Sequence, residues 1–272
     1  MHARPGWRAL VFSAAVTTSP TAADLDWFRR RPEHAGVFAD FDGTLSDIVK
    51  SPSEATPVSG ASALMIELAA IYAKVGVISG RPIAFLQPFF GSDVVISGLY
   101  GLEVLDHGRR IDHPLGGAWR EVIDDVAAVS RARGPAGMLV EPKGLSLTLH
   151  YRGRPRLEPK VRAWAEQWAA RSGLQCRTAR MSYELHPPIP ADKGTALLQQ
   201  AEDLESVCFI GDDDGDLPAY DALDKLKVEG VHTWRVAVHS DEEPTDLIER
   251  ADLIVDGPAG VVDLLRALRP ET

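Results

Sequence analysis

Short apolar runs that break off into charged or hydroxyl residues constrain this chain more than any other feature of its sequence. Gly36 to Ala39 is one, of strand length, and it ends in Asp40-Phe41-Asp42-Gly43-Thr44. A helical pattern follows over about 58–72, with Leu64, Leu68 and Ile71 at i, i+4 and i+7. The stretch "KVGVISGRP" then gives a second buried strand that ends at Ser79-Gly80, with Pro82 suited to the first turn of a helix. Strand, helix, strand in this order implies a parallel crossover. The same spacing of two aspartates also occurs at Asp24 and Asp26, but in a polar stretch that reads as the start of a surface helix.

After "DVVISG" and a hairpin around Asp106 to Arg109 the texture changes. An amphipathic helix is expected over about 117–132, two strands about a turn in "GMLVEPKGLSLTLHYR", a second helix over 157–172 and a further strand in "ARMSYELHP". This block alternates with period two, as a sheet with one covered and one open face should. From Asp192, a plausible N-cap, the buried pattern returns: a helix, then strands in "SVCFIGDDDGD", "WRVAVHS" and "ADLIVDGP", and a last helix over about 259–268. The expected fold is α/β, a parallel Rossmann-like sheet flanked by helices and interrupted by a smaller α/β domain. The expected boundaries are 1–112 plus 190–272 for the core and 113–189 for the insertion.

Composition narrows the function classes. A chain of 272 residues with 45% hydrophobic and 25% charged residues can build a sizeable core. Its formal net charge of -10 argues against a phosphate-backbone binder, which gathers Lys and Arg. Two cysteines, Cys176 and Cys208, make no disulfide framework or metal cluster and read as reduced thiols. No run of 18 apolar residues offers a membrane span. The first residues imitate a secretory signal weakly, since the continuous apolar stretch is only Ala9 to Phe12. Residues 1–20 therefore read as a loosely ordered arm, and the location as cytoplasmic.

Ligands of open parallel sheets gather at the carboxyl ends of the strands. Four separate segments place polar residues there: Asp40 and Asp42, Ser79 with Gly80, Lys193, and Asp212, Asp213 and Asp216. Carboxylates brought together in this way repel one another and invite a cation, and a hard oxygen set suits Mg²⁺. Backbone N–H groups of Gly43 and Thr44, the Ser79 hydroxyl and the Lys193 charge would make a phosphate cradle. Taken singly, Ser79-Gly80-Arg81 is more often a turn and Lys193 a solvated helix residue. The acidic loop fails as an EF-hand, because Gly and Glu are missing at its sixth and twelfth positions. No Gly-Lys-Ser/Thr of a Walker A loop occurs.

In order along the chain, "DFDGTL", "SGR", "DKG" and "GDDDGD" resemble the four motifs of the haloacid dehalogenase superfamily. That resemblance implies Asp40 as nucleophile, Asp42 as acid and base, and Lys193 as the group that orients the nucleophile and screens phosphate charge. It also implies a Mg²⁺ held by Asp40, the backbone carbonyl of Asp42 and Asp212, with Asp213 or Asp216 in an outer contact. In the insertion, "EPKG", "LTLHYR" and "YELHPPIPADKG" resemble the trehalose-6-phosphate phosphatases. By matching position Glu141, Lys143, Arg152 and Glu184 would contact the sugar. The usual Gly-x-His-Gly of that family reads "GLYG" here, so Tyr100 stands in place of histidine and inherits no role. The implied activity is release of phosphate from trehalose 6-phosphate, with a functional link to the synthase that makes it. A phosphatase of sucrose phosphate or of a glycosyl-glycerate phosphate, a phosphosugar mutase and a non-catalytic sensor are the alternatives.

Overall fold

The computed structural model describes residues 20–49, 51–179, 181–240 and 245–270. The expected N-terminal arm, apart from Pro20, lies outside the described residues. Among them twelve strands occur in chain order. The first five are β1 (Ala35–Ala39), β2 (Lys74–Ile78), β3 (Val95–Gly98), β4 (Glu103–Asp106) and β5 (Arg109–Asp112). Then come β6 (Leu139–Pro142), β7 (Leu147–His150), β8 (Gln175–Ala179) and β9 (Ser182–His186). The last three are β10 (Ser206–Gly211), β11 (His232–His239) and β12 (Leu253–Asp256).

Eight strands form one sheet in the order β12-β11-β10-β1-β2-β3-β4-β5. Every pairing from β12 to β3 is parallel, and only the β3–β4 and β4–β5 pairings are antiparallel, the latter being the expected hairpin. Both faces of this sheet are covered. Val37, Ala39, Cys208 and Ile210 point to one layer, with Leu64, Met65 and Leu68 of helix Ala61–Ala69 and Val261 and Leu265 of helix Gly257–Ala267. Phe38, Val207 and Phe209 point to the other, with Leu197 of helix Lys193–Gln200 and Tyr220 and Leu223 of helix Leu217–Val228. The alternation explains why these strands read as unbroken apolar runs: each residue meets a helix whichever way it points. Strands β1 and β10 are adjacent, with Ala39 opposite Ile210, so the acids that follow each of them emerge side by side.

The remaining four strands form an antiparallel sheet, ordered β6-β7-β9-β8. Leu147, Leu149, Tyr183 and Leu185 turn inward against Ile123 and Val126 of helix Arg120–Arg133 and Val161 and Ala165 of helix Glu158–Ser172. The other face is polar and looks toward the large sheet. One element departs from the sequence reading: the single strand expected in "ARMSYELHP" is the second arm of a hairpin whose first arm is β8. Met181 sits at the bend with φ 52, so it belongs to the turn rather than to the strand expected to run through it. No helix among the described residues is long and apolar enough to cross a membrane.

Candidate active site

Asp40 leaves β1 with its backbone N–H donated to the Ile210 carbonyl at 2.9 Å, which ties the first acidic loop to the neighbouring strand. The loop closes quickly, since the N–H groups of Leu45 and Ser46 both donate to the Phe41 carbonyl. Gly43 makes this possible. Its φ is +85, and a Cβ there would stand 2.0 Å from Asp212 Oδ2, so only glycine lets the two acidic loops approach. The expected Gly43 amide is engaged within the turn, donating to the Ser46 carbonyl at 2.7 Å. Thr44 is fully buried and its hydroxyl donates to Asp212 Oδ1 at 3.3 Å.

Asp40, Asp212 and Asp216 come together with one carboxylate oxygen each lying within 4.8 Å of the others. Lys193 enters the same cluster from the start of its helix, where Asp192 accepts from the Thr195 N–H at 2.7 Å and Thr195 Oγ1 accepts from the Asp192 N–H at 3.0 Å. Its Nζ lies 2.9 Å from Asp40 Oδ1 and 2.6 Å from Asp216 Oδ1. Burial works to lower its pKa, but Asp216 and Asp40 outweigh that and hold it well above the usual lysine range. Asp216 is used up by the scaffold. While Oδ1 takes Lys193, Oδ2 accepts the backbone N–H groups of Asp212 at 2.9 Å and Asp213 at 3.1 Å. Asp213 in turn accepts from the Gly215 N–H at 2.8 Å and closes the turn that carries them all.

The charge balance of this cluster is the test of whether it suits a cation. Three carboxylates face one ammonium. Burial, followed by the charges of Asp40, Asp216 and Asp213, pushes Asp212 up to about 9, and burial raises Asp40 well above the carboxylate range against the opposing pull of Lys193. Carboxylates whose charged form burial and like charge disfavour are what a divalent ion relieves, and the donors are hard oxygens. The buried oxygens of Asp40 and Asp212 therefore suit a hard divalent cation, whereas both oxygens of Asp216 are already engaged.

Above this cluster a cavity of about 590 Å³ separates the large sheet from the polar face of the small one. Asp40, Asp42, Gly80 and Lys193 line its floor, and Glu141, Lys143, Arg152 and Glu184 line its roof. Gly43, Thr44, Ser79, Asp212 and Asp216 do not line it and lie packed beneath. Ser79 is buried, with its Oγ accepting the Arg81 N–H at 3.2 Å. Every sugar-contacting residue expected from the sequence thus faces the acids expected to do chemistry.

Sequence reasoning missed Arg81. Its guanidinium grips Asp42 at both oxygens, each at 2.7 Å, donates to the Pro52 carbonyl at 2.7 Å and lies 3.8 Å from Glu141 Oε1. Such a fork fixes the plane of a carboxylate. Glu141 is held from its other side by His150 Nε2 at 2.7 Å and Lys143 at 4.0 Å. Burial works against its charge, but His150, Lys143 and Arg81 together keep its carboxyl below the usual range. The motif "SGR" contained the needed signal, although the partner of its arginine lies 39 residues away in sequence.

Comparison with known proteins agrees with this geometry. Residues 38–250 match the family model for trehalose-phosphatase. The chain belongs to the trehalose-phosphatase family. It is 36% identical over 200 residues to a trehalose-phosphate phosphatase of Mycobacterium ulcerans, a match covering 69% of this chain and 51% of that protein. The chain thus spans about half the length of that relative. Among solved structures, the C-terminal domain of a C. albicans trehalose-6-phosphate phosphatase superposes with a TM-score of 0.72 at 22% identity, covering 94% of this chain and 99% of that one. A haloacid dehalogenase-like hydrolase from Bacteroides thetaiotaomicron superposes at 0.59 and 17% identity, over 86% of this chain and 98% of that one. At such identities the likeness is one of fold. Within the trehalose-phosphatase family, this chain carries its acids at the ends of adjacent parallel strands and a polar antiparallel sheet over them.

Proposed function

We infer that this chain is a phosphatase that hydrolyses trehalose 6-phosphate to trehalose and phosphate. One observation supports the reading: a buried cluster of carboxylates and lysine, suited to a phosphoryl group, faces a sheet of charged and hydroxyl-bearing side chains across a single cavity. Residues 113–189 act as the specificity cap, and residues 1–112 with 190–272 as the catalytic core. Family membership supports trehalose 6-phosphate over other sugar phosphates.

In this reading Asp40 attacks phosphorus and forms an aspartyl-phosphate as the bond from phosphorus to the sugar oxygen breaks. Asp42, once protonated and out of the Arg81 fork in which both its oxygens accept, gives that proton to the departing oxygen. It then takes a proton from the water that attacks the intermediate, and Asp40 is regenerated as phosphate leaves. Lys193 keeps Asp40 oriented and offsets phosphate charge. Ser79 and the Gly43–Thr44 turn shape the phosphate end from beneath, and Gly80 reaches it from the floor. Asp40, Asp212 and the backbone carbonyl of Asp42 would hold Mg²⁺, which supplies neutralising charge between nucleophile and substrate, with Asp213 and Asp216 fixing the loop behind them. Glu141, Lys143, Arg152 and Glu184 bind the sugar, and the cap shields the intermediate from bulk water. A trehalose-6-phosphate synthase would supply the substrate. A reducing cytoplasm fits the two free cysteines.

The test is free phosphate released from a panel of sugar phosphates, with and without Mg²⁺. Trehalose 6-phosphate should be hydrolysed best and only with the metal. Better release from sucrose phosphate or a glycosyl-glycerate phosphate would move the substrate assignment, and a rearranged sugar phosphate without release would identify a mutase.

A further inference from the structure

The polar roof of the cavity contains a row that no single strand reveals. Glu141 on β6 is paired with Thr148 on β7, Thr148 with Glu184 on β9, and Glu184 with Arg177 on β8. The four residues stand in one line across the whole sheet, each about 4.8 Å from the next, and all four line the cavity. Three of them lack bonds they could make. Thr148 Oγ1, Glu184 Oε1 and Arg177 Nε are each buried without a hydrogen-bond partner. Arg177 Nε stands 3.5 Å from Glu184 Oε2, close enough for charge attraction but not aligned as a hydrogen bond. Thr148 is 3% exposed and Glu184 1%, so neither recovers those bonds from open solvent.

Buried polar groups left unmade are costly and rare in folded proteins unless something else meets them. Here the unmet set is an acceptor, a donor and a hydroxyl that can do either, side by side on a cavity wall. Sugar hydroxyls are matched to such a set, because each can donate to a carboxylate while accepting from a guanidinium or a hydroxyl. The end of the row is also fixed in place. Arg177 lies 4.2 Å over the ring of Tyr100, which rises from the core beside Gly80, where a Cβ would come within 2.5 Å of the phenol oxygen. Tyr100 and its neighbour Leu99 both hold the left-handed backbone conformation, φ 61 and 50, strain that positions the ring under the guanidinium.

We propose that Thr148 and Arg177 are further specificity-determining residues, completing with Glu141 and Glu184 a four-residue row that reads the hydroxyls of the substrate's sugar, and that Tyr100 positions Arg177 by stacking. The proposal rests on the sugar-phosphatase reading above. It gives the tyrosine that replaces the family's histidine a task outside phosphoryl chemistry.

The experiment compares steady-state kinetics on trehalose 6-phosphate and on a small aryl phosphate that has no sugar. Arg177→Met and Thr148→Val should raise KM for trehalose 6-phosphate, lowering kcat/KM about 10- to 100-fold for the arginine, the scale of a hydrogen bond to a charged group. The loss on the aryl phosphate should be at least tenfold smaller. Arg177→Lys keeps the charge but not the fork or the stack, so it should restore little. Tyr100→Phe should retain far more sugar-phosphate activity than Tyr100→Leu, since only the first keeps the ring. Equal losses on both substrates, or no loss, would overturn the proposal while leaving the phosphatase reading intact. Wild-type protein that releases phosphate from the aryl ester but from no sugar phosphate would overturn both.

Discussion

The two sheets that face each other across the cavity are built to different rules. In the large sheet the functional groups are set by backbone and burial: acids follow immediately after strand ends, Gly43 lets two loops touch, and Asp216 spends both oxygens holding Lys193 and two amides. In the small sheet Glu141, Thr148, Glu184 and Arg177 owe their common line to strand register, on strands that need only alternate. The first arrangement has little tolerance, because a buried ion cluster that loses one partner leaves another charge uncompensated. The second can change its residues without disturbing the fold, since Leu147, Leu149, Tyr183 and Leu185 secure the sheet from the opposite face. On the proposed function, chemistry is thus placed in the rigid half and substrate choice in the adaptable half.

The sharpest way to break this division is to remove the proposed nucleophile. Asp40→Asn keeps the shape but not the reactive carboxylate, and phosphate release should fall on the order of 10⁴-fold or more on every substrate alike. Burst-phase measurement should find no covalent phosphoenzyme. Persistence of Mg²⁺-dependent release would assign the attack elsewhere. Asp42→Asn is the next largest effect. As the proton donor to the leaving oxygen it should cost about 10²- to 10⁴-fold on trehalose 6-phosphate, and much less on an aryl phosphate whose leaving group needs little proton help. A near-normal rate on the sugar phosphate would take the acid role away from Asp42.

How much of this was legible in the sequence follows from the same division. The parallel core could be read because both its faces are covered, which makes β1, β2 and β10 unbroken apolar runs. Their adjacency could not be read from periodicity, since Asp40 and Asp212 are brought together by sheet order rather than by spacing; the superfamily motifs supplied it. The polar face of β7 and β9 was visible as alternation, and Glu141 and Glu184 through resemblance. Strand β8 was not visible. Its residues "QCRTA" are exposed or half-buried at a sheet edge, so no apolar run marks it. The bend that follows has Met181 at positive φ instead of the Gly or Asn that normally announces a hairpin. With β8 unseen, Arg177 had no face, and the row it completes had no end. Likewise Tyr100 was noticed only as a departure, because its partner sits on that unseen strand.

The smallest effect tests where the boundary between the two halves falls. Asp192 caps the helix that presents Lys193, yet its side chain also lines the cavity. As a cap alone, Asp192→Ala should cost about 1 kcal/mol, which lowers the melting temperature by about 2–4 °C in a chain of this size. Lys193 would stay in place through Asp40 and Asp216, so phosphate release should drop modestly and by the same factor on trehalose 6-phosphate and on an aryl phosphate. Thermal unfolding followed by circular dichroism, paired with the two-substrate assay, reads both quantities. A loss confined to trehalose 6-phosphate would instead make Asp192 a sugar contact, and the adaptable surface would then extend from the small sheet onto the rim of the core.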